Sequence, residues 1–229
     1  MKIGGLRQLS LLDFPGRVAC TVFLSGCNLR CPYCHNPSLV LPSDEPEALS
    51  QQALLDFLDT RHSKLDGVCI SGGEPTLHKE LPQLLRCIRE RGFLTKLDTN
   101  GTLPAPLKAL LVAGLVDYVA MDIKAAPEHY ALAAGTDVDL ARVRESVDLI
   151  RSSGVEHEFR TTVVRGIHTQ ADFEAIGQWL EGAERYFLQP FRDSGDILSP
   201  GCVGFSHDEL ALFLRTVQAY IPAAALRGE

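Results

Sequence analysis

The sequence predicts an α/β fold: a partial, TIM-like (β/α)6 barrel that is open at one side and preceded by a short N-terminal strand or hairpin. Apolar, β-branched runs alternate with stretches of helical periodicity, which is typical of a parallel sheet covered by helices. The alternation fills residues 18–220, less than the roughly 250 residues of a complete eight-unit barrel. A doubly wound open sheet shows the same alternation and remains the alternative fold.

Each predicted unit consists of one strand and the helix that follows it. The strands are expected at Val18–Leu24, Gly67–Ser71, Phe93–Asp98, Asp117–Ile123, Glu158–Val164 and Arg185–Gln189. The helices are expected at Ser50–Arg61, Leu77–Arg91, Ala105–Ala113, Leu140–Ser152, Gln170–Leu180 and His207–Tyr220. We expect one domain over residues 1–229, with residues 1–17 as an N-terminal extension of the six units.

Composition and charge narrow the functional classes. The 229 residues are 45% hydrophobic and 22% charged, which are ordinary globular values. The net charge of −7 argues against a nucleic-acid partner. No apolar run approaches the 18 or so residues that a bilayer span needs, so no membrane partner is expected. The seven cysteines are an odd number, and the N-terminus lacks an apolar signal core, which together favour a reducing cytoplasm.

Three cysteines form the most informative motif. Cys27, Cys31 and Cys34 have the spacing C-x3-C-x2-C. They follow the first predicted strand, at the carboxyl end where parallel sheets carry their chemistry. Three thiolates this close repel one another unless a metal compensates their charge. The spacing favours a [4Fe-4S] cluster with one open iron, and zinc is the alternative.

The cysteine motif has an aromatic residue, Tyr33, before its last cysteine and resembles the radical S-adenosylmethionine superfamily. The run Asp13-Phe14-Pro15-Gly16 and the run Cys34-His35-Asn36-Pro37 resemble the activating proteins of glycyl radical enzymes. Among these, the chain is most similar to the activating proteins of anaerobic ribonucleoside-triphosphate reductase.

This resemblance implies a reaction and its partners. The three cysteines would hold a [4Fe-4S] cluster, and S-adenosylmethionine would bind the open iron. Reductive cleavage would give a 5′-deoxyadenosyl radical, which would take a hydrogen atom from a glycine of the partner enzyme. Flavodoxin or ferredoxin would supply the electron.

Further residues are candidate S-adenosylmethionine contacts by the same resemblance. Gly72, Gly73 and Glu74, in the run Ser71-Gly72-Gly73-Glu74-Pro75, would bind the methionine amino group. The alternative is an ordinary strand-to-helix turn with a proline near the helix start. Tyr33 would lie near the adenine.

Four polar residues follow the third and fourth strands. By resemblance, Asp98, Thr99, Asp122 and Lys124 would hold the methionine carboxylate, and a monovalent cation could bind near Asp98, Thr99 and Asp122. The alternatives are turn chemistry and a solvated ion pair.

Two more cofactor contacts and two contacts to the partner's peptide complete the predicted site. Thr162 and Arg192 are the cofactor candidates, and Arg192 stands where pyruvate formate-lyase activases have a histidine. Asp13 and Arg160 are the peptide candidates. Arg160 lies within a β-branched run, so it could instead point outward or pair with a core carboxylate.

Other functions stay open at this point. The chain could activate another glycyl radical enzyme, such as pyruvate formate-lyase. It could be a small-molecule radical enzyme, such as 7-carboxy-7-deazaguanine synthase. A non-enzymatic zinc-binding adaptor is the remaining alternative.

Overall fold

The computed structural model describes residues 1–40, 49–193 and 195–227, and its strands form one eight-stranded sheet in the order β1-β2-β3-β4-β5-β6-β7-β8. The strands are β1 Ile3–Ser10, β2 Ala19–Leu24, β3 Gly67–Gly72, β4 Leu94–Thr99, β5 Tyr118–Asp122, β6 Glu156–Val163, β7 Tyr186–Pro190 and β8 Ala225–Leu226. The helices are α1 Pro37–Val40, α2 Gln51–Asp59, α3 Leu81–Glu90, α4 Pro104–Val112, α5 Tyr130–Ala134, α6 Leu140–Ser152, α7 Gln170–Trp179 and α8 His207–Gln218.

The strand order decides between the two predicted folds. A doubly wound sheet reverses its strand order at a switch point, whereas here every strand neighbours the next one in the chain. β2, β3 and β4 pair in parallel, as do β6 and β7. The partial (β/α) barrel fold is therefore confirmed. The expected N-terminal strand is also present, because β1 pairs antiparallel with β2.

The predicted units agree with the observed ones because strong local signals mark their ends. Ser50 caps α2, and its hydroxyl accepts a hydrogen bond from the Ala53 amide at 3.2 Å. Ser206 and Glu209 form a capping box at the start of α8. Such caps satisfy amides that have no partner within the helix.

The structure differs from the prediction at four places, the first of which is the four-residue helix α1, which was not predicted. A 3₁₀ turn occupies Pro75–Leu77, and α3 begins only at Leu81, so the predicted helix start at Leu77 was wrong. A 3₁₀ turn at Pro127–His129 and α5 lie between β5 and α6 and were not predicted. β8 was also missed, since two residues carry no periodicity.

The chain divides into two compact units, and the prediction of one domain over residues 1–229 stays a prediction. The first unit comprises Met1–Asn28, Ser38–Ala120 and Arg142–Glu156. Its core includes Phe14, whose ring lies 5.9 Å from that of Tyr118. Helix α3 contributes its apolar face, with Leu81, Leu84, Leu85 and Ile88 buried. This spacing of three and four residues is that of an amphipathic helix.

The second unit comprises Leu29–Pro37, Met121–Ala141 and His157–Glu229. Its core contains Phe173 of α7 stacked on Phe213 of α8 at 4.8 Å between ring centroids. Tyr186 of β7 is fully buried, and its hydroxyl donates to Thr161 at 2.6 Å. In the described part of the chain, no helix combines the length and apolarity needed to cross a bilayer.

Candidate functional site

In the first unit, Gly72 at the end of β3 packs against the end of β2, and Gly73 after it packs against the start of the cysteine loop, residues 25–36. The Gly73 amide donates to the Leu24 carbonyl at 2.8 Å, and the Glu74 amide donates to the Gly26 carbonyl at 2.8 Å. A Cβ at Gly73 would lie 2.0 Å from the Gly26 oxygen and 3.2 Å from the Cβ of Cys27. Gly72 adopts a φ of 121°, which L side chains rarely adopt. The backbone that closely approaches Gly72 is therefore the end of β2 at Leu24, and the backbone that closely approaches Gly73 is the cysteine loop at Gly26.

Glu74 is fully buried and accepts hydrogen bonds from several donors. The donors are the Thr76 amide at 3.0 Å, the Thr76 hydroxyl, the Thr99 hydroxyl at 2.8 Å and the Asn100 amide at 2.7 Å. Burial raises the pKa of the Glu74 carboxyl, and these hydrogen bonds oppose part of that shift. The carboxyl group joins the turn after β3 to the turn after β4.

Asn28, the residue after Cys27, connects the cysteine loop to the same turn after β4. Its side-chain amide donates to the Thr102 hydroxyl at 2.8 Å, and its carbonyl oxygen accepts from the Asn100 side chain at 3.0 Å. Asn100 in turn accepts from the Thr102 hydroxyl at 2.6 Å. The ends of β2, β3 and β4 therefore share one hydrogen-bond network.

Asp98 and Thr99 at the end of β4 are already engaged by the protein. The Asp98 carboxylate accepts from the Lys96 ammonium and, at 3.0 Å, from the Ser71 hydroxyl. The Thr99 hydroxyl donates to Glu74 and accepts from the Gly101 amide at 3.1 Å.

Asp13, a predicted peptide contact, lies beside β2 in the first unit. Its carboxylate accepts from the Thr21 hydroxyl at 2.6 Å and from Arg7 at 3.1 Å. The side chain is 26% exposed, so it remains accessible to solvent.

In the second unit, the later part of the cysteine loop is fixed by its backbone. The Cys34 amide donates to the Cys31 carbonyl at 3.0 Å, which closes a turn between the two thiols. The Arg30 amide donates to the Ala134 carbonyl at 2.8 Å. A Cβ at Gly135 would lie 1.9 Å from the Arg30 oxygen. The end of α5 thus packs directly on this loop.

His35 and Arg192 meet through the Arg192 main chain. The imidazole Nε2 lies 2.8 Å from the Arg192 carbonyl oxygen, and the ring stacks on Phe191 at 5.3 Å. The Arg192 side chain is exposed. His35 therefore fastens the cysteine loop to the segment that follows β7.

Asp122, Lys124 and Arg160 form a charged cluster in the second unit. Lys124 Nζ donates to Asp122 Oδ2 at 2.9 Å, and Arg160 Nε donates to Oδ1. Burial would raise the pKa of Asp122, but the two cations outweigh it and lower that pKa. Burial would likewise lower the pKa of Lys124, yet the charges of Asp122 and Cys31 hold it well above its usual range. Arg160, predicted to contact the peptide, is thus paired with a carboxylate of the cluster.

Thr162 shares one face of β6 with Arg160, because strand residues two apart point the same way. The register pairs Arg160 with Phe187 and Thr162 with Gln189. Both candidate residues are partly exposed on that face.

Tyr33 is a buried polar group whose hydroxyl has no hydrogen-bond partner among the described residues. Burial raises its pKa well above the usual value, with the Cys31 charge adding to this shift and the Lys124 charge opposing it. A buried, unpaired hydroxyl is costly unless a ligand or water satisfies it. This phenol therefore favours a polar ligand beside Cys31.

The donor set fits an iron–sulfur cube. Cys27, Cys31 and Cys34 form no disulfide and lie on one loop, and thiolates are the usual ligands of such clusters. In the described ranges, no three His, Cys, Asp or Glu side chains converge on one metal-ion position. A cube does not require this, because its cysteines bind different irons. The residues present could thus hold the cluster.

Some functional candidates were not predicted from sequence. Lys96 lies in an alternating strand pattern and carries no motif signal, although a fully buried lysine needs a partner. Asn28 lies between two motif cysteines, and this position is the one sequence signal that could have identified it. Asn100 carries no motif signal of its own, but it belongs to the hydrogen-bond network of Asn28, the residue after Cys27.

Comparison with known proteins identifies the family. Residues 21–180 match the Radical SAM superfamily. The chain is 32% identical over 194 residues to a protein of Methanocaldococcus jannaschii named as a glycyl-radical enzyme activating enzyme, with 82% of this chain and 79% of the relative covered. It is 35% identical over 202 residues to a 7-carboxy-7-deazaguanine synthase of Methanopyrus kandleri, with 77% and 75% covered.

The fold is shared with solved structures as well. A radical SAM methyltransferase from Sphaerobacter thermophilus superimposes with a TM-score of 0.74 at 18% identity, covering 96% of this chain and 68% of that one. With the sequence match spanning most of the sheet, the chain belongs to the radical SAM superfamily.

Proposed function

We propose that this chain is a radical S-adenosylmethionine activase that installs a glycyl radical on a partner enzyme, an anaerobic ribonucleoside-triphosphate reductase. The observation that carries the proposal is the similarity over 82% of the chain to the glycyl-radical activating relative of M. jannaschii. The run Asp13-Phe14-Pro15-Gly16, which resembles the same group, supports it.

The chain's own residues bind and orient the cofactors in this proposal. Cys27, Cys31 and Cys34 anchor a [4Fe-4S] cluster, and Lys124 places a positive charge for the methionine carboxylate. When bound, the cluster and S-adenosylmethionine supply the radical that abstracts a hydrogen atom. The segment Gly72–Glu74 and Tyr33 position the methionine and adenine ends.

Two protein partners belong to the proposal. Flavodoxin or ferredoxin reduces the cluster, and the glycyl radical enzyme presents its glycine loop. Asp13 in the first unit and Arg160 in the second are each proposed as a contact for this peptide. A cytoplasmic location is part of the same proposal, since none of the seven cysteines is in a disulfide and reducing compartments keep thiols reduced.

The proposal is tested by anaerobic reconstitution. The protein is loaded with iron and sulfide and mixed with dithionite, S-adenosylmethionine and the candidate reductase. Electron paramagnetic resonance should then show a glycyl doublet on the reductase. Cys31→Ala should bind less iron and give no doublet, because an anchor of the cluster is lost.

Cys87→Ala is the matched control, since Cys87 lies in α3 outside the cysteine loop. We expect this variant to retain the iron content and doublet of the wild type. A wild-type doublet from Cys31→Ala would contradict the ligand assignment. Zinc without iron after reconstitution would contradict the cluster itself.

Synthesis of a deazaguanine from a pterin is the second candidate function. It is favoured by the 35% identity to the M. kandleri synthase, which covers 77% of this chain. Turnover of the pterin with no doublet on any glycyl radical enzyme would decide for this candidate. A doublet on pyruvate formate-lyase alone would instead reassign the activase to that partner.

A further inference from the structure

Lys96 is a fully buried cation on the sheet of the first unit. It is 1% exposed, and it lies on β4 two residues before Asp98, so both side chains share one face of the strand. Its ammonium pairs with Asp98 Oδ1, lies 3.8 Å from the Cys69 sulfur, and sits 5.8 Å from the centroid of the Tyr118 ring. A lysine in such surroundings stays charged only beside a carboxylate.

We propose that Lys96 is a built-in counter-ion for Asp98, so that the S-adenosylmethionine site of this chain takes no monovalent cation. The family resemblance implies such a cation near Asp98, Thr99 and Asp122. The contacts of these three residues do not fit it. The inference rests on the S-adenosylmethionine binding proposed above.

Both oxygens of Asp98 already have donors. Lys96 binds Oδ1, and the Ser71 hydroxyl donates to Oδ2 at 3.0 Å. A metal ion at this carboxylate would lie close to an ammonium of the same sign, and like charges repel strongly away from bulk water. Coordination by Asp98 would therefore require the buried lysine to leave its partner.

The other two expected ligands are engaged within their own units. The Thr99 hydroxyl donates to Glu74 at 2.8 Å and accepts from the Gly101 amide. Asp122 is bound by Lys124 and Arg160, one on each oxygen. Each carboxylate thus has a cation from the protein, which is the role that a bound alkali ion would serve.

A salt series on the cluster-loaded protein tests the proposal. The dissociation constant for S-adenosylmethionine and the thermal midpoint are measured in potassium, sodium and tetramethylammonium chloride at equal ionic strength. We expect the dissociation constant to agree within about twofold across the salts, because screening depends on ionic strength and not on ion identity. If S-adenosylmethionine bound about fivefold or more tightly in potassium or sodium chloride than in tetramethylammonium chloride, a coupled cation site would be demonstrated and the proposal overturned.

Variants test the counter-ion role itself. Lys96→Met should lower the thermal midpoint, because the partly buried Asp98 carboxylate loses its ammonium partner. The double variant Lys96→Met/Asp98→Asn should recover part of the loss. Lys108→Met removes an exposed lysine of α4 and should leave the midpoint unchanged. A double variant as unstable as the sum of its single variants would overturn the proposal.

Two further outcomes remain interpretable. If Lys96→Met does not fold, recovery of folding in the double variant supports the proposal, and its failure there overturns it. If no salt permits S-adenosylmethionine binding, the proposed function fails, while the thermal midpoints still test Lys96.

Discussion

The carboxyl group of Glu74 is fully buried and is surrounded by hydrogen-bond donors of neighbouring residues. Its hydrogen bonds come from residues of two different turns, at Thr76 and at Thr99–Asn100. Buried carboxyl groups with such partners are costly to alter, because each donor loses its acceptor. The residue is therefore expected to position the turns as well as to meet any ligand.

Substitution of Glu74 by glutamine tests this role. Glu74→Gln places an amide hydrogen-bond donor opposite donors that need an acceptor, so we expect a loss of about 1–3 kcal/mol in the free energy of unfolding. Glu90→Gln, at an exposed position of α3, should change it by less than about 0.5 kcal/mol. Urea unfolding measures both, and equal effects would contradict the positioning role.

The pH dependence of stability follows from the same residue. The pKa of Glu74 is raised in the folded protein above its usual value of 4.5. At a pH between the unfolded and the folded pKa, the folded state therefore binds more protons than the unfolded state. The contribution of Glu74 to stability is present at low pH and is lost as the pH rises through the folded pKa. Glu74→Gln should remove this decline, and Glu90→Gln should keep it. The measurement is the free energy of unfolding of the wild type, Glu74→Gln and Glu90→Gln, at a series of pH values that begins at the unfolded pKa of glutamate and rises from there.

At the scale of elements, the turn after β3 and the cysteine loop depend on each other. Gly73→Ala would bring a Cβ to 2.0 Å from the Gly26 oxygen, so the loop must shift. We expect a loss of about 1–3 kcal/mol in stability and a lower iron content after reconstitution. Gly5→Ala is the control, since its Cβ would meet only ordinary contacts at 3.6 Å. Unchanged iron content in Gly73→Ala would contradict this dependence.

Strand β8 is short, and the residue that follows it, Arg227, forms an ion pair with the buried carboxylate of Glu158. Arg227 donates to Glu158 at 2.6 Å, and the Glu158 side chain is fully buried. Arg227→Met should therefore lower the free energy of unfolding by about 1–3 kcal/mol. Arg227→Lys keeps the positive charge and should lower the free energy of unfolding by less. Urea unfolding of the two variants checks this, and equal losses would show that charge at this position is unimportant.

At the scale of the whole molecule, the sequence predicted the sheet well because its signals are local. Strand residues such as Val22 and Ile70 stand in apolar runs, and caps such as Ser50 mark helix starts. α5 and β8 escaped prediction because segments of five and two residues show no period.

The motifs of the candidate site could be read from the sequence, but the hydrogen-bond and ion-pair partners of its side chains could not. The spacing of Cys27, Cys31 and Cys34 is visible in one stretch of chain, whereas the pairing of Arg160 with Asp122 spans 38 residues. Lys96 became a candidate only once the structure showed its burial. Contacts of this kind depend on strand register, which sequence periodicity alone does not fix.

The acidic balance of the whole chain gives one more expectation. With 22 basic and 29 acidic residues, the protein should not bind duplex DNA measurably at physiological salt, because it lacks the excess positive charge that neutralises phosphates. Fluorescence anisotropy with a labelled duplex tests this. Micromolar binding that weakens steeply with salt would contradict the expected absence of a nucleic-acid partner.

Because the strands neighbour one another in chain order, the topology also has a consequence for folding during synthesis. Within the sheet, β1, β2, β3 and β4 neighbour one another in chain order, so each ladder can form as soon as its second strand leaves the ribosome. Short-range pairing of this kind lowers the entropic cost of folding and limits the time for which strand edges stay exposed. The nascent chain can thus complete the support beneath Cys27 before the strands of its C-terminal half have been synthesised.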